Sequence, residues 1–126
     1  MSEDLDFSVT NEFCGQRKDR RKVADVIRDI IPNILAELGF REVSAFQGFN
    51  ESRQYNAIFG YPSISLPEDL IKVEIGFRGD LMLLPESRLL QTLLKNPFNL
   101  IEPVLHPFEA LVLSSIEAFA EKARAN

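Results

Sequence analysis

Two hydrophobic periods follow one another along this chain, and the switch between them marks which stretches become helix and which become strand. From Lys18 to Leu38, Val23, Val26, Ile27, Ile30, Ile31, Ile34, Leu35 and Leu38 recur at steps of three and four, the spacing of one helical face. Gly39 directly after Leu38 suits a C-terminal cap. Pro32 deletes the hydrogen bond to the carbonyl of Arg28, so a kink or a second helix start is expected there. On either side of this helix the period drops to two. Leu5, Phe7 and Val9 alternate with Asp4, Asp6 and Ser8, the pattern of a half-buried strand. Asn11 to Gln16 reads as loop, and Glu42 to Phe49 and Arg53 to Phe59 read as a hairpin joined by Asn50-Glu51-Ser52. After a proline-bounded loop, Pro62 to Pro67, Ile71, Val73, Ile75 and Phe77 go to the core while Lys72, Glu74 and Gly76 go to the opposite face.

The remaining third is less regular. Leu89, Leu90, Leu93 and Leu94 predict a short amphipathic helix from Glu86 to Leu94, ahead of Asn96-Pro97. Pro103 and Pro107 break the apolar stretch that follows, leaving Ala110 to Leu113 as the best strand. Ser114-Ser115-Ile116-Glu117 has capping-box spacing and opens a final helix with Ile116, Phe119, Ala120 and Ala123 as its apolar stripe. There are no internal repeats and no linker.

At 126 residues and 45% hydrophobic composition the chain is expected to form one globular domain, neither disordered nor low-complexity. Fourteen basic against nineteen acidic side chains give a net charge of −5, which disfavours general nucleic-acid coating. Cys14 has no second cysteine to pair with, and Met1-Ser2-Glu3-Asp4 lacks the basic and apolar run of a leader, so a cytoplasmic setting is expected. No stretch reaches the roughly 18 apolar residues of a membrane span. The single His106 excludes a histidine-cluster zinc site.

Four features carry chemistry. Asp4-x-Asp6 sets two carboxylates on one strand face, roughly 6 to 7 Å apart. Such a pair can bind Mg²⁺ with coordination sites left for substrate phosphates, and it is also an ordinary pattern on the wet face of a strand. Glu74 is either a third acid beside them or a plain surface Glu paired with Lys72 or Arg78. Arg17, Lys18, Arg20, Arg21 and Lys22 form a basic run at a helix start, where their charges oppose the macrodipole unless an anion such as RNA phosphate is bound. Lys122 near the chain end is either a phosphate ligand or a dipole-favoured helix residue. Cys14 and His106 have no partners suggestive of nucleophile and base.

The opening Ser2-Glu3-Asp4-Leu5-Asp6-Phe7-Ser8, the strand Ile71-Lys72-Val73-Glu74-Ile75 and the closing Leu113-Ser114-Ser115-Ile116-Glu117-Ala118-Phe119-Ala120-Glu121-Lys122-Ala123-Arg124-Ala125 fall in order. Together they resemble the AbiEii/AbiGii nucleotidyltransferase toxin family, a branch of the polymerase-beta-like nucleotidyltransferases. The resemblance implies an α+β fold with a mixed sheet flanked by helices. It also implies metal-dependent transfer of a nucleotide from a nucleoside triphosphate (NTP) to an acceptor such as tRNA. By the same resemblance Asp4 and Asp6 match the metal-binding pair, Glu74 the further acid and Lys122 the lysine that assists catalysis, with Mg²⁺ as cofactor and an antitoxin protein as partner. The family's Gly-Ser turn before Asp-x-Asp and its Arg-Asp-x-x-Asp segment after the lysine helix have no counterpart in these 126 residues. The expectation is therefore a partial core lacking its first helix and its C-terminal helices. The alternative is a catalytically inactive interaction module or homo-oligomer, with Leu5, Phe7 and Phe119 exposed for self-association.

Overall fold

A computed structural model describes residues 3–10, 15–64, 66–77, 81–91 and 106–125. Cys14, Arg78, the Leu93–Leu94 pair and most of the loop around Asn11 lie outside the described residues. The elements in order are β1 (Glu3–Val9), α1 (Arg17–Glu37), β2 (Arg41–Phe49), a 3-10 turn (Asn50–Ser52), β3 (Gln54–Tyr61), β4 (Asp69–Phe77), β5 (Glu86–Leu90), β6 (Phe108–Val112) and α2 (Ser115–Ala125). They form two compact units, residues 1–80 and 81–126.

The first unit is the mixed α+β structure anticipated from the sequence. Its sheet runs β1-β4-β3-β2, with β1 parallel to β4 and the other neighbours antiparallel. Because β-strand side chains alternate, the register sorts every residue onto one of two faces. Val73 and Ile75 lie between Leu5 and Phe7 on β1 and Ala57 and Tyr55 on β3, and Phe77, beside Val9, donates its N–H to Arg53 O at 2.7 Å. Ala57, Phe59, Tyr55, Phe46 and the four alternating residues of β4 form the buried core, to which α1 adds Ala24 and, partly buried, Val23, Ile27, Ile31 and Leu35. Edge-to-face ring pairs, Phe46 with Phe59 at 6.2 Å and Tyr55 with Phe77 at 5.8 Å, tie β2, β3 and β4 together. Register irregularities in β2 between Glu42 and Gln47 spoil its alternation, which leaves Val43 exposed and Phe46 buried.

α1 runs unbroken through Pro32, so there is no second helix start. Apolar residues before and after the proline pack on the same core, which offsets the lost hydrogen bond, and Asn33 Nδ2 donates to Asp29 O at 2.7 Å across the weakened turn. The helix ends as the sequence implies. Gly39 takes φ +87° and its N–H reaches Ala36 O, while Phe40 N–H reaches Leu35 O at 2.9 Å, the two bonds of a Schellman cap.

The second unit corrects two expectations. Residues 86–90 form strand β5, not the start of a helix, paired antiparallel with β6 from Glu86–Val112 to Leu90–Phe108. A short leucine-rich run fits either period, and here the backbone partner decides. Glu86 and Arg88, two apart and on one strand face, form an ion pair at 2.7 Å. Ser114 caps α2 as foreseen, its Oγ accepting from Glu117 N–H at 3.2 Å. The predicted apolar stripe of α2 is not its buried face: Ile116 and Phe119 are 70% and 75% exposed, whereas Glu117 is buried and its Oε2 accepts from Leu83 N–H. Cap geometry turns the helix so that its acid, not its aromatic, faces inward.

Candidate functional site

α1 covers one face of the four-stranded sheet, and the opposite face gathers the polar alternates. In the parallel β1–β4 register Asp4 stands beside Lys72 and Asp6 beside Glu74, and on the other flank of β4 Asn56 stands opposite Glu74. Neighbouring strands lie about 4.8 Å apart and alternate residues about 6.7 Å apart, so three carboxylates share a small patch. Asp4 and Asp6 are exposed and Glu74 is partly buried.

The sequence assigned Lys72 no more than a pairing with Glu74, yet it belongs to this patch. Its Nζ meets Glu74 Oε2 at 2.7 Å. That hydrogen bond holds the ammonium pKa above its ordinary value of 10.5; burial, next in size, pulls it down, and the fields of Glu74, Asp4 and Asp6 add smaller upward pushes. Both readings of Glu74 therefore apply together: it is ion-paired with Lys72 and it is the third acid of the face. The strand pairing that sets Asp4 and Asp6 beside these groups was not legible locally, because nothing in either strand's own pattern announces that residues 3–9 lie parallel to residues 71–77.

Among the described residues no three acids, histidines or cysteines approach closely enough to cage a metal ion. The donor chemistry suits a different arrangement. Two oxygen-donor carboxylates on one side of a strand fit a hard divalent cation such as Mg²⁺, which typically takes one or two carboxylates and leaves its other positions to water and phosphate. Lys122 lies exposed on α2, in the second unit.

The basic run divides three ways. Arg20 is only 4% exposed, and its guanidinium donates to Gly15 O at 2.9 Å and to Glu51 O at 3.2 Å. It is thereby corrected from a phosphate ligand to an internal brace, since a buried guanidinium engaged with carbonyls does not face a phosphate. Arg17 and Arg21 line a cleft with Arg28 and the 3-10 turn. Lys18 and Lys22 are exposed, and at 100° per residue they point away from that row. His106 is exposed, two residues before β6 begins.

Over residues 1–126 the chain matches the family model described as Nucleotidyl transferase AbiEii toxin, Type IV TA system. No curated protein and no solved structure matches it.

Proposed function

Because the chain belongs to the AbiEii nucleotidyl transferase toxin family, we propose that it transfers a nucleotide from an NTP to an acceptor such as tRNA, in a cytoplasmic toxin–antitoxin pair. The observation that carries this reading is the register that sets Asp4 and Asp6 on the same sheet face as Glu74. None of the described helices is long and apolar enough to cross a membrane.

In this reading Asp4 and Asp6 hold Mg²⁺, with Glu74 as a further oxygen donor. A divalent ion held by these carboxylates would neutralise triphosphate charge; in the transfer itself the acceptor hydroxyl oxygen bonds to the α-phosphorus, the bond to pyrophosphate breaks, and the hydroxyl proton passes to solvent. Lys72 serves as the resident counter-charge that lets three acids share a face at neutral pH. Lys122 steadies triphosphate charge, and the exposed members of the run, Arg17, Lys18, Arg21 and Lys22, position an acidic acceptor. The test is incorporation of labelled NTPs into a tRNA pool. Asp6→Ala is expected to abolish the Mg²⁺-dependent signal, and equal incorporation by variant and parent refutes the assignment.

A second reading, an interaction module or homo-oligomer, is favoured by a separate observation. Leu5 and Phe7 are 41% and 51% exposed and, with Ile31, Ile34 and Leu35, line an apolar groove of about 160 Å³ between β1 and α1. Light scattering decides it: self-association supports this reading, and a monomer with no bound partner excludes it.

A further inference from the structure

A cleft between the first three turns of α1 and the β2–β3 connection combines arginines with aromatic rings. It encloses about 530 Å³ and is edged by Arg17, Arg21 and Arg28 on one side and by Phe49, Tyr55 and the turn Asn50–Ser52 on the other. On the helix the three arginines fall at i, i+4 and i+11, within about 40° of one another, and their row extends about 16 Å along the axis. Among the described residues Arg17 and Arg21 make no ion pair or side-chain hydrogen bond. Asp25 and Glu51 also edge the cleft. Arg28 meets Asp25 at 3.6 Å in an exposed pair, a weak contact that an incoming anion can exchange for itself.

The far wall is built with unusual backbone. Asn50, Glu51 and Ser52 have φ of 49°, 55° and 64°, three successive non-glycine residues in the left-handed region, each costing on the order of 1 kcal/mol. The conformation is imposed from outside. Arg20 grips Glu51 O, Asn50 Nδ2 bonds Gln54 Oε1 at 3.1 Å, and Arg53 N–H is held by Phe49 O and Asn50 O. Backbone strain held by a buried arginine calls for a reason beyond joining two strands. Directly before this turn Phe49, 46% exposed, lines the same cleft as the arginines.

We propose that this cleft binds a short single-stranded RNA segment, with phosphates on Arg17, Arg21 and Arg28 and an unstacked base on Phe49. Guanidiniums bind phosphate oxygens bidentately, and an exposed aromatic ring offers the stacking platform by which single strands are held without sequence readout. A row about 16 Å long exceeds what one phosphate occupies, which favours a strand over a free mononucleotide. The choice of RNA rests on the acceptor reading above; the geometry of the cleft does not.

The test is equilibrium binding of the intact chain to a fluorescent oligouridylate, followed by anisotropy across a salt series without Mg²⁺ or NTP. Failure of nucleotidyl transfer therefore leaves the result untouched. Arg17→Gln/Arg21→Gln is expected to lower the slope of log affinity against log salt by about 1.4, or about 0.7 per phosphate no longer neutralised. Phe49→Ala is expected to weaken binding roughly five- to hundredfold while leaving that slope unchanged. Arg41→Gln, an exposed cation at the opposite end of β2 from Phe49, is expected to stay within about threefold of the parent at 0.15 M salt. Duplex RNA and UMP are both expected to bind more weakly than the single strand. All substituted residues are exposed, and unchanged thermal melts by circular dichroism exclude unfolding. The proposal is overturned if the parent does not bind, if Arg41→Gln weakens binding as much as the arginine pair, or if Phe49→Ala has no effect. Equal affinity for UMP overturns it as well. Tight binding of the matching single-stranded DNA would retain the phosphate-and-base chemistry but overturn the choice of RNA.

Discussion

Replacing Arg20 by alanine should destabilise the first unit far more than replacing any other cation of the run. In the folded chain this side chain is nearly inaccessible and bridges two segments, donating to Gly15 O before α1 and to Glu51 O in the left-handed turn. Hydrogen bonds to charged groups contribute about 1.5 to 3 kcal/mol each. Part of this is returned, because the variant no longer buries a charge, and water reaches the partly exposed carbonyls. A net loss of about 3 kcal/mol follows, a large share of the 5 to 15 kcal/mol typical of a domain. For a urea m-value of about 2 kcal/mol/M, the midpoint falls by about 1.5 M. Arg20→Met, which keeps an apolar stem in the same channel, should recover part of the loss, and Lys18→Ala should move the midpoint by no more than about 0.3 M. The assay is urea unfolding followed by far-UV circular dichroism. If Arg20→Ala and Lys18→Ala coincide, the brace carries no load and the account of the turn fails.

Glu74→Gln should lower the Lys72 pKa toward 10.5, since the hydrogen bond to Glu74 is the leading cause of its elevation; side-chain NMR titration reads it. A lysine pKa raised on folding stabilises in full below its unfolded value and loses that contribution as pH climbs through the folded value, so the stability gap between the parent and Lys72→Met should be flat from pH 6 to pH 9 and shrink only above about 10.5. Gly39→Ala should cost about 1 kcal/mol by thermal melt, because alanine must adopt φ +87° at the Schellman cap. Ser114→Ala should cost about 1 kcal/mol in the second unit by removing the acceptor for Glu117 N–H, with Ser114→Asp restoring most of it.

Period and punctuation went far toward the first unit. The step of three and four from Val23 to Leu38, closed by Gly39, specified α1 and its cap, because both follow from local geometry and a single residue without Cβ. Strict alternation in Ile71 to Phe77 specified which side of β4 is buried. The same reasoning failed at Glu86 to Leu90, where a five-residue run has too few turns to declare a period and the partner strand lies beyond Pro107. It failed again on α2, where a capping serine and a buried carboxylate outweighed the apolar stripe.

The acids of the candidate site divide along the same line. Sequence alone determined that Asp4 and Asp6 share a strand face and that Glu74 lies opposite its strand's core residues, since side-chain alternation needs no knowledge of neighbours. Tertiary structure decided that β1 lies parallel to β4, so that Asp6 stands beside Glu74 and Asp4 beside Lys72, which is ion-paired with Glu74. It also decided the fate of five adjacent cations. Local spacing groups them as one patch, but the rotation of α1 on its core sends Arg20 inward to hold a strained turn, Arg17 and Arg21 into a cleft, and Lys18 and Lys22 to solvent. Helix rotation is set by which side chains the sheet accepts, and that information is spread over four strands far apart in the chain.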